Sequence, residues 1–258
     1  MERVSKAQVK LVRSLQQKKF RDELGLFVAE GDKCVNELRK AFELVYYIES
    51  TDRCADSAQP DTLLASPTEI EQMSGLRTPQ GVIGVFNKHP IEDWRLEIED
   101  LVLALDGVQD PGNLGTIIRT CDWFGVHDIV CSRDTADCYN PKVVQATMGA
   151  LARVRVHYVD LPKKLSEFSR QYSDLRIFGT LLEGKNMYEV LKEHPVTGNP
   201  SPLTVIVMGN EGNGISQAVR ERITHPIRIP SYPADAETSE SLNVSIATAI
   251  VLAEFRRP

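Results

Sequence analysis

Apolar residues along this chain come in short runs separated by polar turns, and the runs change character after the first third. From Leu26 to Asn87 they are brief and rich in Val, Ile, Tyr and Phe. Leu26–Ala29, Glu43–Ile48, Thr62–Ala65 and Gly81–Asn87 predict strands, with helices between them over Lys33–Lys40 and Thr68–Met73. Lys88–Glu99 has Pro90, high charge and little periodicity, which places a linker there. Beyond it six strands are predicted, at Leu101–Asp106, Asp128–Cys131, Val154–Val156, Arg176–Thr180, Thr204–Met208 and Pro226–Ile229. Helical segments alternate with them near Asn113–Phe124, Pro141–Ala150, Pro162–Tyr172, Ser216–Arg222 and Ser241–Arg256. Runs such as LVLALD and LTVIVMG are apolar on consecutive residues, as strands buried on both faces are. They predict a parallel sheet covered by helices on both sides.

Ahead of both regions lies a basic stretch. Residues 1–21 hold seven Lys or Arg against Glu2, a net +6, whereas residues 22–100 carry −10 and residues 101–258 carry −2. Leu11, Val12 and Leu15 recur at helical spacing and Ser5 is placed to cap them. The expected organisation is therefore a basic arm over 1–21, a small α/β domain over 22–95 and a larger α/β domain over 96–258.

Composition narrows the class. Of 258 residues, 42% are hydrophobic and 26% charged, which excludes fibrous and disordered chains. The net charge of −6 argues by itself against a nucleic-acid partner, because phosphate affinity comes from Lys and Arg. The uneven charge distribution weakens that inference. The opening MERVSKAQVKLVRS has no apolar core of a signal peptide, and no apolar run is long enough to cross a bilayer. Five cysteines without a CxxC pair read as reduced thiols, and the five histidines show no zinc spacing, so no membrane and no metal are expected.

Three stretches carry chemistry, each where a strand gives way to a loop. In LDGVQDPGNLGTIIRT (105–120) a turn crowded with Gly112, Asn113 and Gly115 opens a helix, with Arg119 one turn after Gly115. The plainer reading is a capped turn with a solvated arginine. In VIVMGNEGNGIS (205–216), Gly209, Gly212 and Gly214 permit close backbone approach. No GK[ST] follows, and Glu211 stands where a dinucleotide fingerprint needs its second glycine. A carboxylate there repels pyrophosphate, so the loop suits a ligand without phosphate, or it is simply a strand-to-helix turn. The third stretch runs from Ile229-Pro230 through an acidic loop to Glu240-Ser241-Leu242-Asn243. It opens a helix that Ser239 or Ser241 is placed to cap and whose Ser245, Ala247, Ala249 and Ala253 allow close packing.

Together, Asn113-x-Gly115-x-x-x-Arg119, Gly209-Asn210-Glu211-Gly212 and Glu240-Ser241-Leu242-Asn243-Val244-Ser245 closely resemble the three motifs of SpoU (TrmH-like) RNA ribose 2′-O-methyltransferases, in order and spacing. Phe27-Val28-Ala29-Glu30-Gly31 followed by a helix resembles, less sharply, the start of the family's L30e-like substrate-binding domain. The resemblance implies a SPOUT-class parallel sheet with a deep trefoil knot at its C-terminus, S-adenosylmethionine as cofactor, an RNA substrate, a homodimer and a cytoplasmic location. It assigns the cofactor to Thr180, Gly209, Asn210, Gly212, Ile229 and Leu242. It assigns the reaction to Arg119, with Asn113, Glu211, Ser241 and Asn243 orienting it or the substrate. An arginine is a permanent cation, so holding a phosphate and stabilising an alkoxide stand beside the family's role for it as a base. Ribosomal RNA is expected somewhat ahead of transfer RNA. SYPADAETS, before Glu240, is longer and more acidic than the family's usual connection. Two other readings stay open: a SPOUT enzyme methylating a base, and an RNA assembly factor built on a degenerate knot.

Overall fold

The computed structural model describes residues 2–53, 61–89, 100–195, 203–233 and 241–257. The chain divides into two compact units, one of Met1–Trp94 with Asp137–Arg153, the other of Arg95–Ala136 with Val154–Pro258. The expected linker falls almost wholly outside the described residues, as does the acidic loop before Ser241.

In the first unit the elements are β1 (Glu2–Arg3), α1 (Lys6–Ser14), α2 (Lys18–Leu24), β2 (Leu26–Glu30), α3 (Asp32–Leu38), β3 (Leu44–Ser50), β4 (Thr62–Ala65), α4 (Pro67–Met73) and β5 (Val82–Asn87). The five strands form one mixed sheet ordered β1-β4-β3-β5-β2, in which β2 and β3 run antiparallel to β5. Strand alternation divides its core in two. Val28, Ile83 and Val85 point to the side covered by Val9, Val12, Leu15, Ile70 and Met73. Phe27 and Phe86 point to the other, where their rings stack at 5.5 Å and Phe27 meets Phe42 edge-on at 5.0 Å.

The basic stretch forms α1 and α2 and packs within this unit. Ser5 caps α1 in a capping box with Gln8. Val9, rather than the half-buried Leu11, joins Val12 and Leu15 in the core. Arg21 is 1% exposed and donates to Leu15 O, Gln16 O and the Asp137 carboxylate. Its partner comes from a segment that the sequence assigns to the second domain. That segment holds α6 (Pro141–Thr147) and packs with the first unit. Tyr139 sits 4.8 Å from the Phe27 ring, and Arg153 pairs with Glu37 at 2.7 Å.

The second unit contains β6 (Leu101–Asp106), α5 (Pro111–Trp123), β7 (Asp128–Ser132), β8 (Arg155–Val159), α7 (Leu161–Gln171), β9 (Arg176–Asn186), α8 (Met187–Glu193), β10 (Thr204–Gly209), α9 (Gln217–Arg220), β11 (His225–Arg228) and α10 (Val244–Phe255). All six strands are parallel, in the order β11-β9-β10-β6-β7-β8. Val102, Ala104, Val205 and Val207 face α7 and α9, through Leu165, Phe168 and Val219. On the opposite face α5 packs on α10, whose Phe255 meets Phe178 edge-on at 4.9 Å.

Candidate active site

Strands β6, β9, β10 and β11 end together because they run the same way, and the chemistry-bearing turns gather at that end. Two short hydrogen-bond systems lock the turns. The Ser216 amide donates to Asp106 Oδ2 at 2.6 Å, tying the loop after β10 to the end of β6. Asn210 Nδ2 donates to Gly107 O at 2.7 Å, while its Oδ1 accepts from the amides of Gly212 and Asn213. The loop closes on itself through paired backbone bonds between Asn210 and Gly214. Glycine is required here at two positions for different reasons. A Cβ on Gly209 would collide with the backbone of Gly214 and Ile215, and Gly214 holds a φ of +66°. Gly212 meets neither demand; it faces the cavity.

That cavity, of about 800 Å³, opens beside the loop. Its second wall comes from an irregularity in β9. Pro226 of β11 pairs with Gly179 but Ile227 pairs with Lys185, so residues 180–184 have no partner on β11, and residues 180–183 line the cavity. Thr180 Oγ1 donates to Val207 O at 3.3 Å, which fixes the start of this bulge. The third wall is the stretch after β11 and the start of α10. All six residues assigned to a cofactor line this space: Thr180, Gly209, Asn210, Gly212, Ile229 and Leu242. Glu211 and Ser241 line it as well.

The three motifs meet in one side-chain chain. Asn113 Nδ2 donates to Glu211, Asn243 Nδ2 donates to Asn113 Oδ1 at 3.0 Å, and Ser245 Oγ donates to Asn243 Oδ1 at 2.6 Å. Its members lie 98 and 130 residues apart in sequence. Asn243 also caps α10, accepting from the Ser245 and Ile246 amides, so Ser241 is not the cap, and Ser239 lies outside the described residues. Asn113, in the middle of the chain of bonds, is held in place by Asp110, which caps α5 by accepting its amide at 2.8 Å.

Arg119 stands apart from this network. It is exposed, has no hydrogen bond or ion pair with a described residue, and does not line the cavity. Six residues after Asn113, it lies about 120° around α5 and about 9 Å along it. Sequence reasoning did not single out Glu183 and Arg220, which line the cavity as an ion pair. The first sits in the β9 bulge and the second in a one-turn helix, and neither setting has a residue pattern of its own. Among the described residues no group of three or more His, Cys, Asp or Glu is placed to hold a metal ion, and no helix is long and apolar enough to cross a membrane.

The model of the SpoU rRNA Methylase family matches residues 100–253, and that of the MRM3-like substrate binding domain matches residues 6–84. A 23S rRNA guanosine 2′-O-methyltransferase of Bacillus subtilis is 28% identical over 260 residues, covering 99% of this chain and 98% of that protein. Among solved structures, an RNA methyltransferase assigned to the TrmH family from Porphyromonas gingivalis is 37% identical with a TM-score of 0.84, each chain covered to 98%. An AdoMet-bound rRNA methyltransferase from Sinorhizobium meliloti is 29% identical with a TM-score of 0.80, covering 100% of this chain and 97% of that one.

Proposed function

Because the chain belongs to the SpoU rRNA methylase family, we propose that it methylates a ribose 2′-hydroxyl of structured RNA with S-adenosylmethionine as donor. The observation that carries this reading is the network from Glu211 through Asn113 to Asn243, which makes one site of three distant motifs. The relatives' names point to ribosomal RNA, and we propose that substrate ahead of transfer RNA.

The cavity suits this donor. Leu181, Met208, Ile229 and Leu242 share its walls with Glu183, Glu211, Arg220 and Arg228, a lining that suits a ligand with an apolar body and charges of both signs. When bound, S-adenosylmethionine supplies a methyl group on a cationic sulfur, open to displacement by oxygen. We assign its binding to Thr180, Gly209, Asn210, Gly212, Ile229 and Leu242. The protein's part in the reaction is placement, since a hydroxyl is a weak nucleophile that gains most from being held in line. Asn113, Glu211, Ser241 and Asn243 supply the fixed polar groups on that side.

Arg119 completes the site from a second copy of the chain in our reading, in which the larger domain forms a deep trefoil knot and dimerises. Three features support dimerisation. Arg119 has no partner among the described residues and stands on an exposed face of α5; Trp123 on the same helix is 85% exposed; and Leu242, just before α10, and Ile246 on it leave an apolar patch, 46% and 55% exposed. The hydrogen bonds from Ser216 to Asp106 and from Asn210 to Gly107 bind the late loop to the early strand, an adjacency a knot would share with any sheet that pairs β10 with β6. In the partner's site the guanidinium holds the phosphate beside the target ribose and stabilises the alkoxide as it forms. The first unit is the RNA-holding domain, and the enzyme works in the cytoplasm, where its substrate is made.

Ribose-methylation mapping of total RNA from a deletion strain and its complement tests the activity: one 2′-O-methyl signal should vanish and return. Arg119→Ala should lower kcat by about 10²-fold or more while cofactor affinity holds. Mixing that variant with Asn243→Ala should restore activity, because one site of each mixed dimer is then intact. No restoration would place Arg119 in its own chain's site.

A further inference from the structure

Four charged side chains line the cavity: Glu183, Glu211, Arg220 and Arg228. The apolar walls account for the adenine of S-adenosylmethionine, but its far end is a zwitterion, an ammonium beside a carboxylate. Such an end binds where charges of both signs face the same space. Glu211 is engaged by Asn113. Arg228 also lines the cavity, from β11, but is paired with no carboxylate among the described residues.

Glu183 and Arg220 remain, and they are already joined. Arg220 donates through Nη2 to Glu183 across the cavity rim, from α9 to the β9 bulge. The pair is open to solvent, with side chains 39% and 62% exposed. An ion pair of that exposure adds little to stability, so a ligand separates it at little cost. Nor is the pair complete as a structural device. Arg220 Nε is buried and has no acceptor among the described residues, so the ion pair leaves part of the guanidinium's donor capacity unmet.

We propose that Glu183 and Arg220 recognise the amino-acid end of the cofactor: on binding they part, Arg220 taking the carboxylate and Glu183 the ammonium. This rests on the cofactor reading above. It makes the pair specificity residues, since they distinguish ligands that share the adenosine and differ in the charged tail.

Two probes separate the tail from the rest: S-adenosylhomocysteine, which has it, and 5′-methylthioadenosine, which lacks it. Calorimetric titration of both into the full chain and its variants is the test. Arg220→Gln should weaken S-adenosylhomocysteine by about tenfold and Glu183→Gln by several-fold, with methylthioadenosine affinity unchanged in each. Unchanged methylthioadenosine binding also certifies that a variant is folded; should Arg220→Gln fail to fold, Glu183→Gln carries the test. Arg220→Lys should recover part of the loss by keeping the charge without the fork. Equal losses for both ligands, no loss for either, or a tail-selective loss in Arg228→Gln instead would overturn the proposal. A wild-type protein that binds neither ligand would sink the cofactor reading itself, a result separable from the others.

Discussion

The first unit's sheet is mixed and the second's is wholly parallel, and much of the difference between the two halves follows from that. In the mixed sheet β2 and β3 run against β5, so strand ends and their loops are shared between both edges. Its polar buried groups serve the fold: Arg21 binds carbonyls and Asp137, and Glu30 accepts from Ser74 and Gly75. In the parallel sheet every strand ends on one side, and there the polar groups of three distant segments meet around a cavity. Strand direction decides where a site can be assembled, and the residues only then decide what it does.

The largest expected effect breaks the structural half of this contrast. Asp137→Asn leaves a guanidinium that is 2% exposed without its counter-charge and should cost about 3–5 kcal/mol, read by urea unfolding. Cofactor affinity should persist wherever the variant is folded.

Buried carboxylates in the two units should titrate with opposite signs. Burial works to raise the Asp128 pKa, but its hydrogen bonds from His157 and Arg155 hold it below the usual 3.8. Its charge therefore stabilises the second unit above that value, and the contribution is lost as pH falls toward the lowered one. Burial raises Glu30 above 4.5 against its bonds from Ser74 and Gly75, so the first unit loses stability as pH climbs through that range. Asp128→Asn should lower neutral stability by about 2 kcal/mol with the deficit shrinking in acid, and Glu30→Gln should flatten the opposite slope. Hydrogen exchange across the acid range, followed unit by unit, reads both.

Gly209→Ala sharpens the functional half. The backbone it meets cannot swing aside, so strain of about 1–3 kcal/mol falls on the loop that faces the cavity, weakening the cofactor by about tenfold to a hundredfold. Gly25→Ala in the first unit is its counterpart. Nothing lies within 4 Å of that Cβ, and only the φ of +65° resists it, so stability should drop by about 1 kcal/mol with binding untouched.

The smallest effect concerns RNA. Deleting residues 1–21 would remove Val9, Val12 and Leu15 from the core, so it cannot isolate the role of their charge. Lys6, Lys10 and Arg13 are exposed on α1, and changing all three to Gln spares the core. RNA affinity should fall several-fold, with a salt slope shallower by about 2–3, while stability stays within about 0.5 kcal/mol. An unchanged slope would make α1 a solvated helix only.

The contrast also explains what could be read from residues alone. LVLALD was legible as β6 because burial on both faces leaves a continuous apolar run, and Ser5 was legible as a cap because capping is local. The extension of β9 through LLEGKN was not, since a bulge with no partner on β11 looks like a loop. The motif residues could be named individually, but not that Asn113, Glu211 and Asn243 bond one another while Arg119 stays outside, because that depends on strand order. Least legible was residues 137–153, where α6 follows β7 as a crossover helix should, yet packs with the other unit.

That displaced segment has a consequence for how the protein is made. Chains fold largely as they emerge, N-terminal parts first, but here the first unit is unfinished when its own strands have left the ribosome. Tyr139, whose ring packs against Phe27, and Asp137, which neutralises the buried Arg21, are not synthesised until β6 and β7 have appeared. The N-terminal unit must wait with an uncompensated charge and an uncovered aromatic face, so its completion falls after the second unit has begun. A fragment ending at residue 94 should accordingly aggregate, and one carrying residues 1–153 is the shortest that contains the whole first unit.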